Sequence, residues 1–203
     1  MTERKVLIVY AHQEPKSLNG SLKTIAVEEL SELYHPEQFN YGVEAWEACK
    51  NGSLSEDLIK EQRKVKEADL VIFQFPLYWF SMPAIMKGWM DRVLVQGFAH
   101  DFPQCYDSGL LKNKLALLSF TTGGGKEMYS DEGVSGDIRY LLWPMQHGIM
   151  HFCGFSVLAP QICFAPEYAT EEERVQMLVS WGERLKTIWE EKPINCAVDG
   201  YFK

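Results

Sequence analysis

A loop rich in hydroxyl, amide and glycine residues follows the first apolar run of the sequence, Val6 to Tyr10. The loop extends from His12 to Ser21, and a helix pattern from Asn19 to Leu33 begins inside it. Backbone N–H groups and the positive end of a helix dipole converge at such a junction, and they bind anions. The loop fits neither G-x-G-x-x-G nor the P-loop. It predicts a phosphate site, unless Ser17 and Asn19 only cap the helix.

Two further loops follow apolar runs, at places where an α/β sheet binds ligands. Phe75 to Pro83 is a cluster of aromatic residues whose flat rings suit an isoalloxazine. Thr121 to Gly125 ends in three consecutive glycines, which let the backbone approach a ligand closely. Taken singly, the aromatics are typical of a core and the glycines of a flexible loop. Three such loops at successive strand ends together favour a bound cofactor.

A separate group of residues, away from these three loops, has the chemistry of metal ligands. His147 and His151 are four residues apart, on one face of a predicted helix, and Cys196 lies in the C-terminal tail. Imidazole and thiolate are ligands for zinc and copper. Histidines at this spacing in a tryptophan-rich segment are more often packed or solvated, so both interpretations stay open.

The elements that would position these residues alternate between strands and helices. Continuous apolar runs predict strands that are covered on both faces; they are Val6 to Tyr10, Leu70 to Phe75, Leu115 to Phe120 and Val157 to Phe164. Helix patterns lie between them, at Asn19 to Leu33, Ser55 to Glu67, Pro83 to Val95 and Thr170 to Trp189. The last begins with a capping box, Thr170 to Glu173. The alternation predicts an α/β fold, a doubly wound parallel sheet, in one domain over residues 1–203.

Composition limits the classes of partner. The 203 residues carry a net charge of −8 with no basic stripe, which argues against nucleic acid. The five cysteines form no C-x-x-C pair, which is typical of reduced thiols in the cytoplasm. No apolar run reaches membrane-spanning length and no secretory leader is evident. We therefore expect a cytoplasmic small-molecule enzyme that contacts neither membrane nor nucleic acid.

Longer runs around these residues resemble the flavodoxin-fold NAD(P)H quinone oxidoreductases, the DT-diaphorase family. The resemblance covers nearly the whole chain and rests on KVLIVYAHQEPKS, ADLVIFQFPLYWFSMPAIMKGWMDRVL, KLALLSFTTGG, WPMQHGIMHFCGF and EEERVQML. The paired histidines and Cys196 resemble the metal site of the branch that prefers dihydronicotinamide riboside to NAD(P)H. The resemblance implies that His147, His151 and Cys196 bind zinc or copper, with Cys196 in a short C-terminal tail of about residues 190–203.

The resemblance implies FAD as the cofactor. The residues expected to hold it are His12, Ser17, Leu18, Asn19, Gly20 and Ser21 at the diphosphate and ribityl chain, Leu77, Tyr78, Trp79 and Phe80 along the isoalloxazine, Thr121, Thr122, Gly123, Gly124 and Tyr129 at its pyrimidine edge, and Asn40, Glu167 and Arg174 at the adenosine. Some of these would come from a second subunit, because the family consists of homodimers with both sites at the interface.

The resemblance also implies a ping-pong reaction in which a dihydronicotinamide passes hydride to flavin N5 and leaves, and a quinone then accepts it in the same slot. Tyr129 is the predicted catalytic residue, stabilising charge near flavin O2. The expected substrate contacts are Trp79, Phe80, His100, Asp101, Phe102, Met128, Ser135 and Phe152.

Three departures from the family pattern stand out. A strand and loop that relatives carry after the first helix, at the edge of the sheet, are missing between Ser31 and Asn40, which looks like an internal deletion. His100 and Cys105 replace phenylalanines of the quinone pocket, which makes the slot more polar. Ser135 replaces a histidine or asparagine, so no imidazole is available at that position.

Two other functions remain open at this stage. The chain would be a dimeric binding or regulatory protein if the deletion impairs FAD binding. It would be an FMN enzyme of the azoreductase type if the adenosine contacts at Asn40, Glu167 and Arg174 are absent.

Overall fold

The computed structural model describes residues 5–10 and 40–203, and all that follows concerns these residues. Its strands are β1 (Val6–Tyr10), β2 (Leu70–Pro76), β3 (Leu115–Thr122), β4 (Ser156–Val157) and β5 (Gln161–Phe164). All pairings among these strands are parallel, β2 lies between β1 and β3, and both β4 and β5 pair with β3. The carboxyl ends of the strands therefore meet at one edge of the sheet.

The fourth predicted strand, Val157 to Phe164, is interrupted, so the prediction of one continuous strand was wrong. Leu158 still donates its N–H to Ala116 O at 2.9 Å. Pro160 has no N–H to continue the ladder. The carbonyl of Ala159 instead accepts a hydrogen bond from Arg184 Nη2 at 2.7 Å. The chain then rejoins β3 as β5, one strand in two short pieces.

The helices are α1 (Tyr41–Asn51), α2 (Glu56–Glu67), α3 (Ala84–Val93), α4 (Ile138–Met145) and α5 (Glu171–Thr187). The last three predicted helix patterns are confirmed as α2, α3 and α5, with ends shifted by one or two residues. The capping box is also confirmed, because the Thr170 hydroxyl accepts from Glu173 N and the Glu173 carboxylate accepts from Thr170 N. The pattern did not predict α1, in which Gly42 interrupts the first turn.

A π-helix, Gln146–His151, continues α4 without a break. Pro144 lies inside α4 and removes one backbone donor, which loosens the regular i to i−4 ladder just before the wider turn begins. His147 and His151 therefore lie on a helix of larger radius than the α-helix that their spacing predicted.

The sheet buries both faces, as the continuous apolar runs predicted. On one face Val71, Phe73 and Leu118 contribute to a core shared with α2, α3 and α4. On the other face the buried residues are Leu70, Ile72, Leu117, Leu158 and Ile188, with Trp181 of α5 packed against them. A parallel sheet with helices on both faces confirms the predicted doubly wound architecture.

Two predictions fall outside the described residues. These are the helix from Asn19 to Leu33 and the loss of the edge strand between Ser31 and Asn40. In the described part of the chain, no helix is long and apolar enough to cross a membrane.

Candidate functional site

A tight turn at the end of β2 carries the aromatic cluster. Tyr78 N–H donates to Ser81 O and Ser81 N–H to Tyr78 O, both at 2.9 Å. Between them, Trp79 and Phe80 have φ values of 50° and 59°. Turns with two such residues normally use glycine or asparagine, and a bulky side chain there is strained by about 1–3 kcal/mol. We call the residues 78–81 the aromatic turn.

The aromatic turn exposes its rings. Trp79 has a relative exposure of 101% and Phe80 one of 52%. A large apolar ring that is fully exposed on a strained backbone contributes nothing to the core of its own chain. Strained, exposed aromatics of this kind mark a ligand-binding surface.

The glycine loop lies beside the aromatic turn. Leu77 N–H donates to Thr121 O at 2.8 Å, which joins the two loops at their bases. The Thr122 hydroxyl donates to Gly124 O at 2.8 Å and fixes the loop's path. A Cβ on Gly124 would come within 2.7 Å of Met128 Sδ. This close packing explains why the position is a glycine.

Tyr129 connects the loops. A 3-10 helix, Lys126–Tyr129, turns its ring towards the aromatic turn, with the ring centroids of Tyr129 and Phe80 at 6.3 Å. On its other side Tyr129 contacts Phe164, the last residue of β5, at 5.9 Å between centroids. Ser135 N–H donates to Met128 O at 2.9 Å, which places Ser135 in the same block. The predicted Trp79, Phe80, Met128, Tyr129 and Ser135 thus come together.

The other predicted substrate residues form a separate aromatic group. We call His100, Phe102, Phe152 and Tyr106 the His100 group. Ring centroids of Phe152 lie 5.0 Å from His100, 6.5 Å from Phe102 and 5.3 Å from Tyr106. Among the described residues no ring contact joins this group to the aromatic turn. Phe102 is 70% exposed, so the group presents an open apolar surface.

Hydrogen bonds hold the loop that carries His100. Gly97 N–H donates to His100 O at 2.8 Å. Oδ1 of Asp101 accepts from Gln96 Nε2 and from Phe102 N, both at 2.9 Å, and so closes the loop. Burial lowers the pKa of His100, and the nearby Asp101 charge opposes this shift only in part.

The predicted adenosine contacts have local roles in the structure. Asn40 caps α1, its side-chain oxygen accepting from Gly42 N at 3.1 Å. Arg174, in the first turns of α5, donates to Ala169 O at 2.5 Å. Ala169 lies in the loop before this helix, which also carries the exposed Glu167. Near this loop, a cleft of about 570 Å³ runs between β5 and α5, lined by residues that include Phe164, Tyr168 and Glu173. His12, Ser17, Leu18, Asn19, Gly20 and Ser21 lie outside the described residues.

The structure does not support the predicted metal site at His147, His151 and Cys196. Among residues 5–10 and 40–203, no three His, Cys, Asp or Glu side chains are arranged to hold a metal ion. His147 Nδ1–H donates to the backbone oxygen of Cys196 at 2.7 Å, and its ring stacks on Trp143 at 3.9 Å between centroids. His151 Nε2 bonds to Asp107 Oδ1 at 2.9 Å. We call His147, His151, Cys196 and Trp143 the tail cluster.

The Cys196 thiol is buried within the tail cluster. Burial raises the pKa of Cys196 to about 11, which keeps its sulfur protonated at neutral pH. Nδ1 of His151 is shielded from solvent and has no hydrogen-bond partner in the described part of the chain. The contacts of the cluster anchor the tail, which Tyr201 also does by donating to Gln146 Oε1 at 2.5 Å.

Two residues of the aromatic groups were not predicted. Phe164 supports Tyr129, and Tyr106 links the His100 group to His147, with ring centroids 5.1 Å apart. Phe164 was recognisable as an aromatic at the carboxyl end of a predicted strand. Tyr106 lies in a loop without periodicity, and no signal in the sequence indicates its contact.

Comparisons with known proteins show the family and the fold of the chain. Residues 4–185 match the family model Flavodoxin_2, a flavodoxin-like fold. The chain is 60% identical to ribosyldihydronicotinamide dehydrogenase [quinone] of Rattus norvegicus, with all of both chains covered, and 46% identical to NAD(P)H dehydrogenase [quinone] 1 of the same organism, with 100% of this chain and 84% of that protein covered.

A solved structure is similar over most of the chain. A putative quinone reductase from Klebsiella pneumoniae is 37% identical, with a TM-score of 0.77, and the match covers 95% of this chain and 87% of the other. These matches confirm the flavodoxin-like fold and the resemblance found in the sequence. The chain is an oxidoreductase that belongs to the flavodoxin-like family of ribosyldihydronicotinamide and NAD(P)H dehydrogenases (quinone).

Proposed function

We propose that the protein reduces quinones with FAD as cofactor and a dihydronicotinamide as electron donor, with dihydronicotinamide riboside preferred over NAD(P)H. The observation that carries the proposal is the aromatic turn, where Trp79 is fully exposed on a strained backbone beside the glycine loop. The relative named for the riboside donor matches along its whole length at 60% identity, which supports that donor for this chain.

The described residues fit a flavin. The aromatic turn offers flat apolar surface, and Gly123 offers open backbone, since a Cβ there would meet no described atom within 4 Å. Leu77, Tyr78, Trp79 and Phe80 would lie along the isoalloxazine, with Thr121, Thr122, Gly123 and Gly124 at its polar edge. FAD supplies the two-electron chemistry when bound. Asn40, Glu167 and Arg174 would contact its adenosine, which distinguishes FAD from FMN.

Tyr129 is the proposed catalytic residue. Its ring is held between Phe80 and Phe164, so its position does not depend on a ligand. A fixed phenol O–H beside the polar edge of the cofactor stabilises negative charge that develops there. Donor and quinone would use one slot in turn, which gives ping-pong kinetics. Ser135, next to Met128, carries no imidazole, so proton transfer would involve Tyr129 or water.

A homodimer completes the slot in this proposal. Within one chain the aromatic turn and the His100 group make no ring contact among the described residues, yet both present exposed rings. A second copy would bring its His100 group over the first copy's aromatic turn, and the quinone would stack between them. Burial of Trp79 and Phe102 at one interface accounts for both exposures.

We also infer that the chain is shorter than its relatives because of an internal deletion. The alignment with the rat relative spans 230 positions against 203 residues here, a difference of 27. A loss between Ser31 and Asn40 at the sheet edge leaves the loops after β2 and β3 in place. We also infer one domain over residues 1–203, with a tail from about 190, and a cytoplasmic location, which the five free thiols support.

The test is activity of the purified protein with dihydronicotinamide riboside, NADH and NADPH, each with menadione as acceptor. We expect turnover that is fastest with the riboside. Denaturation should release FAD, identified by chromatography. Release of FMN alone would contradict the adenosine contacts. A colourless protein that takes up no added FAD and reduces no quinone would identify the chain as a binding protein instead.

A further inference from the structure

His100 is a polar side chain in an otherwise aromatic group, and one of its nitrogens has no partner. Its ring lies 5.0 Å from Phe152 and 6.3 Å from Phe102, centroid to centroid. Nδ1 is shielded from solvent and, in the described part of the chain, makes no hydrogen bond. A buried polar atom without a partner destabilises a fold, so its presence calls for an explanation.

The neighbours of His100 have other partners. The Asp101 carboxylate bonds to Gln96 and to the backbone of Phe102, and the backbone oxygen of His100 accepts from Gly97. The loop therefore fixes where the imidazole lies. Of its two nitrogens only Nδ1 is shielded and unpaired, so Nε2 is the one that a ligand reaches.

This arrangement selects one tautomer of the ring. A neutral imidazole has one N–H and one lone pair. A buried N–H without an acceptor is rarer and more costly than a buried acceptor without a donor. The lone pair therefore belongs on Nδ1 and the proton on Nε2. Burial lowers the pKa of His100, which agrees with a neutral ring at neutral pH, because protonation would bury an unpaired N–H.

We propose that His100 is a specificity-determining residue of the quinone slot, and that its Nε2–H donates a hydrogen bond to a carbonyl oxygen of the bound ring. The proposal rests on the proposed function, because the second copy must place the His100 group over the first copy's cofactor. An apolar pocket with one fixed donor favours flat rings that carry a carbonyl over hydrocarbons of the same shape. His100 would thus provide an imidazole to a slot in which Ser135 carries none.

The first experiment measures the tautomer in the unmutated holoprotein. Two-dimensional ¹H–¹⁵N spectra of protein labelled at histidine distinguish the two neutral tautomers and the imidazolium, and His100→Phe identifies the signal by its loss. We expect the Nε2–H form at pH 7. An Nδ1–H form or an imidazolium at this pH overturns the proposal, whether or not the protein reduces quinones.

The second experiment measures binding of menadione and of 2-methylnaphthalene, which has the same shape but no carbonyls, by fluorescence quenching of the holoprotein. We expect the preference for menadione to fall roughly threefold to tenfold in His100→Phe, as loss of one hydrogen bond predicts. His100→Gln should restore it, since its carboxamide nitrogen reaches the Nε2 position, whereas His100→Asn should not.

An unchanged preference in a folded His100→Phe protein, or equal recovery in the Gln and Asn variants, overturns the proposal. Failure of the proposed function looks different, because the unmutated holoprotein would then fail to reduce menadione with any of the three donors.

Discussion

The aromatic turn and the tail cluster both gather aromatic rings next to polar groups, but they differ in what the rings contact. In the tail cluster both histidine rings have contacts in their own chain: Trp143 and the Cys196 carbonyl for His147, and Asp107 for Nε2 of His151. In the aromatic turn, Trp79 is fully exposed and strained. Clusters with titratable residues alone do not mark a functional site. Large rings that the fold leaves exposed on strained backbone mark it better.

Replacing the exposed tryptophan should have the largest effect on activity. Trp79→Ala should lower kcat/KM for menadione about 100-fold, because the ring platform for the ligand is lost. At protein concentrations low enough for the apoprotein to be monomeric, its unfolding midpoint should hardly change, since Trp79 is fully exposed within its own chain. Steady-state kinetics and thermal unfolding check the two expectations.

The matched control is Trp89→Ala in the core. Trp89 is only 8% exposed and donates to Glu61 Oε2 at 3.0 Å. This substitution should lower the free energy of unfolding by about 3–5 kcal/mol. Equal destabilisation by the two substitutions would show that Trp79 has a structural role and would erase the contrast.

A substitution in the tail cluster should lower the stability of the protein and leave its FAD content unchanged. His147→Ala removes the stack on Trp143 and the hydrogen bond to the tail, so we expect a loss of about 2 kcal/mol in stability. Urea unfolding measures it, and the bound FAD content should stay that of the unmutated protein. A drop in FAD content without loss of stability would reverse the assignment of the two clusters.

Tyr129 tests the catalytic role within the aromatic region. Tyr129→Phe should slow reduction by the donor about tenfold in stopped-flow experiments, because the hydroxyl that stabilises developing charge is gone. The ring contacts with Phe80 and Phe164 remain, so the FAD affinity should change little. Equal rates would remove Tyr129 from catalysis.

A smaller effect concerns the helix that carries the tail cluster. Asp137 caps α4 by accepting from Arg139 N at 2.8 Å, and the hydrogen bond from the Arg139 side chain lowers the pKa of this carboxyl below its ordinary value of 3.8. The folded-state pKa is the lower one, so the stabilisation is complete above pH 3.8 and is lost as the pH falls through the folded value.

Asp137→Asn, which keeps a capping oxygen, should cost about 1 kcal/mol or less at pH 7 and should flatten the acid limb of the stability curve. Urea unfolding between pH 2 and 7 measures both. An unchanged acid limb would show that other carboxylates dominate there.

Added zinc should produce the smallest change. The hydrogen bonds of His147 to the Cys196 carbonyl and of His151 to Asp107 predict no shift of the unfolding midpoint when Zn²⁺ is titrated into the protein. A midpoint that rises with zinc and no longer does so in Cys196→Ser would show that the tail cluster rearranges to coordinate the ion.

The sequence predicted the parts of the fold that depend on local chemistry. Buried strands β2 and β3 appear as continuous apolar runs, and the capping box at Thr170 is visible as Thr-Glu-Glu-Glu. The helix α1 was missed because Gly42 lies in its first turn, although Asn40 as its cap and Gly52 after its end were available signals.

The site was predicted mainly through resemblance. Spacing placed the loops at the strand ends, but it gave no sign that Trp79 and Phe80 adopt positive φ, because neither residue type favours it. Spacing also suggested a metal at His147 and His151. Whether an imidazole binds a metal or a neighbouring carbonyl depends on tertiary contacts, which no local pattern contains.

The interruption of the last strand at Pro160 also protects the edge of the sheet from pairing with a strand of another chain. β4 and β5 have two and four residues, so together they give only a short and broken edge to the sheet. Arg184 occupies the carbonyl of Ala159 at the gap and is itself held by the Glu191 carboxylate at 2.7 and 2.8 Å. A strand of another chain would find few free backbone groups here, and a guanidinium in its path, so this edge resists the pairing that leads to aggregates.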